Sequence, residues 1–407
     1  MKNKLMAVIT MILVLALAAG CAGSGSTTAA PAVAEAGAPA TSAQPAANAA
    51  NEAQAPADTA GELRYNPDTD PASDIVIYQG AWNDWWVNTP RLGEYLAQPP
   101  YTIGFITGWR GEAWQEQMYA EFEREVERSS LISDVVYMDS ASDVDTQIAN
   151  LEGMFAMWQA GKLSAIIVDA LDANAITATI TKIYDAGCPI ILFNNAINST
   201  KYSMIVSDDP GAYGINGAEW LAKELNYEGN IFFFRGVQGY PIDEGRSGGA
   251  LKVFEKYPGI NIVAIEYCNW AADQAKSAFF NMYAAHPDFD GIYSVGGQMS
   301  LAVIEAMEEL GLNPGDYAHA SEDNNGFLQK CLEYNIPACA NCHPSIQSAI
   351  SVVMTEMLLQ GYPVPKLYYF PSPYITSEEF SDYVRYDAPA GIFVSTYLTD
   401  AELNSLF

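Results

Sequence analysis

The side chains best suited to recognising a small polar molecule fall just after a succession of apolar runs. They are Arg110, Glu112 and Trp114; Asp169; Asn194 and Asn195; Arg246, behind Asp243 and Glu244; Trp270; Gln298, behind Gly296 and Gly297; and Asp323, ahead of Asn324 and Asn325. Carboxylate, guanidinium and amide groups together supply both acceptors and fixed donors, the set that several hydroxyls need at once. Indole adds a flat apolar face against which the C–H face of a sugar ring can lie without demanding a hydrogen bond. The chemistry these residues point to is sugar or polyol binding. Simpler roles stay open for some of them. Asn195, Asp243 and Asn325 could each cap a helix, Arg246 could pair with Glu244 or Asp243, and Trp270 could be packing.

Catalysis finds little support. No histidine, serine nucleophile or lysine stands at an equivalent place: His286 lies in a helix-to-strand turn and His319 within a strand. The "GVQGYP" loop has glycines but no Lys-Ser/Thr sequel of a phosphate loop. Cys339-Ala-Asn-Cys342-His343 has the C-x-x-C-H spacing of a c-type haem attachment site. It follows a helix ending near Tyr334 and precedes one starting around Pro344, so it reads as a buried strand, which leaves covalent haem attachment no access. Zinc lacks a fourth ligand, and side chains alternate in direction along a strand. Neither metal nor cofactor is expected.

The positioning elements follow a regular pattern from about residue 100. Strands are expected at 101–109, 134–140, 164–170, 189–195, 229–236, 260–268, 291–297 and 317–323, with helices between them. The first helix spans 111–128, and the second carries Ile148, Leu151, Met154, Phe155 and Trp158 on one face. Continuous apolar strands such as "PIILFNN" suit parallel sheets covered on both faces. Two sets of β-α units mean an α/β chain of two doubly wound parallel-sheet lobes, and ligands of such folds sit outside the carboxyl ends of the strands.

The amino-terminal region is of another kind. Lys2 and Lys4, a short apolar run and "LAAGC" read as a signal peptide over 1–20 with Cys21 as a lipidated mature terminus. Residues 21–62 are rich in Ala, Pro and Ser and read as a flexible tether. Residues 63–99, with Trp82, Trp85 and Trp86, fit no β-α unit and are expected to pack on the first lobe. The chain has 407 residues, 49 acidic against 19 basic, for a net charge of −30. That balance disfavours nucleic acid and anionic membrane surfaces as partners. Cys188, Cys268, Cys331, Cys339 and Cys342 are an odd number, so at least one thiol is unpaired.

Roughly residues 100–370 resemble the type I periplasmic sugar-binding proteins of ABC importers, the ribose- and galactose-binding family. "IGFITGWRGEAW" is similar to the family's opening strand, polar turn and aromatic, which implies a hydroxyl contact for Glu112 and a stacking one for Trp114. "IDEGRSGGALKVF" places Arg246 where the family's ligand-binding Arg stands, and "NWAADQAKSAFFNMYAAHPDFDGIYSV" places Trp270 at an aromatic contact. "SEDNNG" gives Asp323 the grip on two hydroxyls, and Asp169 falls at a polar contact. Three departures stand out: Asn194-Asn195 replaces an Asp-Arg pair, Gly296 replaces an Asn with Gln298 nearby, and Cys342 replaces a Gln.

The resemblance implies two lobes closing on a monosaccharide or polyol about three crossings, near Ser207-Asp208, Cys342-His343 and Tyr368–Pro371. The lobes would be 100–206 plus 343–370 and 207–342 plus 371–407. It further implies a monomer that serves ABC permease subunits, or alternatively presents its closed form to a chemoreceptor or sensor kinase.

Overall fold

The computed structural model describes residues 86–87, 95–362, 364–370 and 372–407. The expected signal peptide, Cys21, the expected tether and most of 63–99, Trp82 and Trp85 included, lie outside the described residues.

The strands are β1 (Trp86–Val87), β2 (Tyr101–Thr107), β3 (Ile132–Asp139), β4 (Ala165–Asp169), β5 (Ile190–Phe193), β6 (Met204–Asp208), β7 (Gly229–Arg235), β8 (Ile260–Tyr267), β9 (Gly291–Ser294), β10 (Ala318–Glu322), β11 (Ala338–Asn341), β12 (Leu367–Phe370) and β13 (Tyr374–Thr376). The helices are α1 (Ala113–Arg128), α2 (Val144–Gln159), α3 (Thr177–Asp185), α4 (Pro210–Glu224), α5 (Pro241–Phe254), α6 (Ala272–Ala285), α7 (Gly297–Glu309), α8 (Asn325–Tyr334), α9 (Gln347–Leu359), α10 (Phe380–Tyr383) and α11 (Asp400–Leu406).

One sheet runs β1-β12-β6-β5-β4-β2-β3 and the other β13-β11-β10-β9-β7-β8. Both are parallel except at one edge, where β1 pairs antiparallel with β12 and β13 with β11. Parallel strands covered on both faces must be apolar throughout, and Ile166, Ile167, Val168, Ile190, Ile191 and Leu192 have no exposed surface. Helix starts are written locally. The Glu112 carboxylate accepts from the Trp114 and Gln115 amides at the start of α1, and Asp209, followed by Pro210, caps α4.

The chain crosses between sheets after β6, after β11 and between β12 and β13. The tail departs from the expected division, which placed 371–407 wholly with the second lobe. Ile392, Val394 and Leu398 pack with Phe327 and Leu328 of α8. Phe393 instead enters the core beneath the first sheet, exchanging both backbone hydrogen bonds with the Gln117 amide of α1 at 3.0 and 3.1 Å. The tail is therefore shared, because its alternate side chains meet different lobes.

Helices α4 and α5 cross so closely that a Cβ on Gly214 would stand 1.9 Å from the Arg246 carbonyl oxygen. That contact sets where the Arg246 side chain leaves α5. Gly214→Ala is expected to cost about 1–3 kcal/mol or more, since backbone and not a side chain has to move. Chemical denaturation measures the cost, and an unchanged midpoint would show that the crossing is looser than described.

Candidate functional site

Strand carboxyl ends from both sheets converge on a cavity of about 590 Å³. Of the residues expected from sequence, Glu112, Trp114, Asn194, Arg246, Trp270 and Gln298 line it. Arg110, Asp169, Asn195, Asp323 and Cys342 do not, and each is held elsewhere for a visible reason.

Arg110 turns outward to the Glu116 carboxylate and lies 3.6 Å over the Tyr119 ring. Asp169 and Asn195 form the layer behind the lining. The Asn195 amide donates to Asp169 Oδ1 at 2.8 Å and to the Tyr240 hydroxyl at 2.6 Å, while Asn194 donates to Asp169 at 3.2 Å. Asp323 is held by the tail, its Oδ2 accepting the Ser395 amide at 2.8 Å, while its Oδ1 is buried without a hydrogen-bond partner among the described residues. Cys342 packs into the first-lobe core, whereas Cys339, three residues earlier, packs into the second. The two thiols of the C-x-x-C-H stretch thus face different lobes, and all five described cysteines are buried free thiols. The third member, His343, reaches the cavity wall. Asp243 and Asn325 also serve structure: Asp243 accepts from Gly236 and Arg235, and Asn325 donates to the Arg385 carbonyl.

Several lining residues were not expected: Trp109, Gln115, Tyr240, Glu322, His343 and Phe393 among them. Tyr240, from the second lobe, meets Trp109 of the first edge-to-face at 5.3 Å and Trp270 at 5.5 Å. Its hydroxyl takes the Asn195 bond, so this ring closes one side of the cavity across the two lobes. Across another side, the Gln298 amide donates to Glu112 Oε1 at 3.3 Å and to the Trp270 carbonyl at 3.2 Å. Trp114 is clamped from behind, its indole N–H donating to the His343 carbonyl at 3.0 Å and its ring stacked 4.9 Å from the His343 imidazole.

Trp270 shows why Gly296 replaces the Asn of the resemblance. A Cβ at Gly296 would come 2.5 Å from the indole Cδ1, and one at Gly236 2.3 Å from its Cζ2. The indole therefore lies flat against two glycines at strand ends. Asn269 and Trp270 both hold φ near 53°, and Asn194 holds 61°. Left-handed backbone at non-glycine residues costs about 1–2 kcal/mol each, and such strain concentrates at ligand sites.

The electrostatics are arranged around one buried cation. Arg246 meets Glu322 at 2.8 Å, donates to the Val295 carbonyl and lies 3.9 Å over the Tyr213 ring. At the crossings, His343 Nδ1 meets Asp208 Oδ2 at 2.8 Å. Burial alone would push the Asp208 carboxyl up, but the charge and hydrogen bond of His343, then the charge of Arg246, hold it below its ordinary value. Glu112, Asp169 and Asp323 go the other way, pushed up to about 7 chiefly by burial.

Four polar atoms of the lining have no hydrogen-bond partner although buried: Gln115 Oε1, Asn194 Oδ1, Gln298 Oε1 and Arg246 Nε. Two come from each lobe. An unmade buried hydrogen bond costs about 1–3 kcal/mol, so a hydrogen-bonding partner at any of the four would be stabilising.

Comparison with known proteins agrees with this geometry. Residues 103–363 match the model of a family described as periplasmic binding protein domain. A xylitol-binding protein of Mycolicibacterium smegmatis is 26% identical over 44% of this chain and 50% of its own length, so the chain spans about half of that relative. A ribose import binding protein of Bacillus subtilis is 18% identical over 65% of this chain and 84% of its own. Among solved structures, a Bacillus halodurans solute-binding protein with bound myo-inositol superposes with a TM-score of 0.64 at 21% identity, covering 70% of this chain and 98% of that one. A protein of Actinobacillus succinogenes with bound D-allose gives 0.61 at 24%, covering 70% and 100%. At these identities the structures speak for the fold alone.

Proposed function

The chain belongs to the periplasmic binding protein domain family, and on that premise we propose that it captures a monosaccharide or related polyol between its lobes and delivers it to an ABC permease. The observation that carries this reading is the set of four unpaired buried polar atoms, two from each lobe, on residues that line one cavity walled by Trp109, Trp114, Tyr240 and Trp270. Relatives that bind xylitol, ribose and apiose support the same class of ligand. They are binding proteins rather than enzymes, and the cavity is read as a recognition site without a reacting group.

Closure about the three crossings brings the two half-sites together, so that ligand contacts in both lobes favour the closed form over the open one. Arg110, Asp169, Asn195, Asp323 and Cys342 act from outside the lining: Asp169 and Asn195 orient Asn194 and Tyr240, and Asp323 anchors the tail that carries Phe393. The protein works outside the cytoplasm as a monomer, anchored through Cys21.

Trp270→Ala tests the site. The indole offers the ring-stacking face and packs only at the margin of the second-lobe core, so the dissociation constant for the sugar is expected to rise about 10–100-fold with the fold retained. Calorimetric titration measures it, and an unchanged constant would remove Trp270 from the ligand.

A further inference from the structure

Resting on the reading that a polyol fills the cleft, the charge of the cavity says what else the ligand carries. Arg246 is the one Lys or Arg among the described lining residues, and its charge is taken by Glu322 at 2.8 Å. Asp172, also in the lining, turns its carboxylate onto its own loop, accepting the Asn174 and Ala175 amides at 2.8 and 2.7 Å. Glu112 differs from both.

The Glu112 carboxylate accepts only from uncharged N–H groups: Trp114 at 3.1 Å, Gln115 at 3.4 Å and Gln298 at 3.3 Å. Among the described residues no cation pairs with it. A carboxylate can accept about four hydrogen bonds, so room remains on the cavity side. Burial pushes this carboxyl up to about 7 and the charge of Glu322 adds to that, while the bonds from Trp114 and Gln115 oppose it. The cost of that isolated negative charge disappears when a positive group lies beside it.

The atoms around Glu112 ask for the same thing. Gln115 Oε1 and Gln298 Oε1, on the two residues whose N–H groups hold the Glu112 carboxylate, are both unpaired. A hydroxyl donates one hydrogen, whereas an ammonium donates three together with a charge. The indoles of Trp109, Trp114 and Trp270 line the same wall, and indole is the aromatic ring that best favours a nearby cation.

We propose that the cleft takes a polyhydroxylated molecule bearing a protonated amine, an amino sugar or amino polyol, with its ammonium set between Glu112 and the unpaired amide oxygens of Gln115 and Gln298. Hydroxyls of the same molecule meet Asn194 Oδ1 and Arg246 Nε. An anionic sugar is rejected, because the cavity offers it no uncommitted cation.

Titration calorimetry at about neutral pH with glucosamine and galactosamine, each beside its hydroxyl parent, its N-acetyl form and its uronate, tests this. An amine is expected to bind at least about tenfold tighter than its parent, with no binding of uronates. Glu112→Gln should bring amine and parent within about threefold, while Glu112→Asp, which keeps the charge, restores the preference. With the unsubstituted chain, the preference should also grow as pH rises from about 5 to about 7 and Glu112 ionises. A neutral parent that binds as tightly as its amine, or a preference that survives Glu112→Gln, overturns the inference and leaves the polyol reading standing. A panel in which nothing binds removes both.

Discussion

Arg246→Met is expected to destabilise the chain by about 3–5 kcal/mol, the cost of leaving one half of a buried ion pair behind, and to abolish ligand binding. The guanidinium is 1% exposed and three groups depend on it. Glu322 would remain as a buried carboxylate without its 2.8 Å partner, the Val295 carbonyl would keep only the longer bond from the Trp270 indole N–H at 3.4 Å, and the Tyr213 ring would lose the cation above it. Methionine preserves much of the volume, so the loss reports charge and hydrogen bonding rather than a cavity. Arg246 Nε is also the one unpaired donor among the buried atoms of the described lining residues, so binding is lost even where folding survives. Restoring neutrality with Arg246→Met and Glu322→Gln together should recover part of the stability and none of the binding. Urea denaturation of the single and double variants measures both halves. A single variant as stable as the unsubstituted chain would show that the pair is solvated rather than buried.

The second large effect is a fall in the stability of the unliganded protein as pH rises. Asp169 and Asp323 are pushed up to about 7 and Glu121 to about 8, in each case first by burial. These groups hold protons in the folded chain that the unfolded chain releases near pH 4, so their contribution is complete below that value. It is lost as pH climbs through 7 and 8. Each tenfold difference in proton affinity is worth about 1.4 kcal/mol, and the three together are expected to remove about 3 kcal/mol or more between about pH 5 and about pH 8. Asp208 runs the opposite way: its carboxyl is held low, so its contribution is present above the ordinary Asp value and lost in acid. Stability is therefore greatest near about pH 4. Denaturation curves across this range check the sign. A stability that is flat or rises toward pH 8 would mean that water reaches these carboxyls.

The parallel-sheet architecture was legible because a strand covered on both faces has to be apolar along its length. Ala165–Asp169 and Ile190–Phe193 carry that signal in their composition alone. Positions at strand ends were legible for the same reason, which is how Glu112, Asn194, Trp270 and Gln298 were found. What a side chain does once there depends on partners distant in sequence. Asp323 looked like a ligand group until the Ser395 amide arrived from the tail, a segment with no β-α period to place it. Phe393 reaches the cavity by the same route, through an isolated bridge to Asn324. Tyr240 sits in the "GVQGYP" loop, whose glycines drew attention to phosphate chemistry, although an aromatic just before Pro241 at a helix start was the usable signal. His343 rather than Cys342 faces the cleft because β11 ends at Asn341, and the crossing, not the strand alternation, sets the direction beyond it. Gly296 records a contact that no local pattern contains, the indole of Trp270 lying where a Cβ would be.

The central claim is that a polyhydroxylated molecule binds between the lobes. A thermal-shift screen over monosaccharides, amino sugars and polyols tests it most directly, since a ligand at a hundred times its dissociation constant adds about 2.7 kcal/mol. For a chain of this size that raises Tm by about 3–4 °C. At least one such compound is expected to do so, and the shift should vanish in Arg246→Met and shrink in Trp270→Ala. A screen in which no sugar, amino sugar or polyol moves Tm, or a shift that both variants leave intact, would contradict the account.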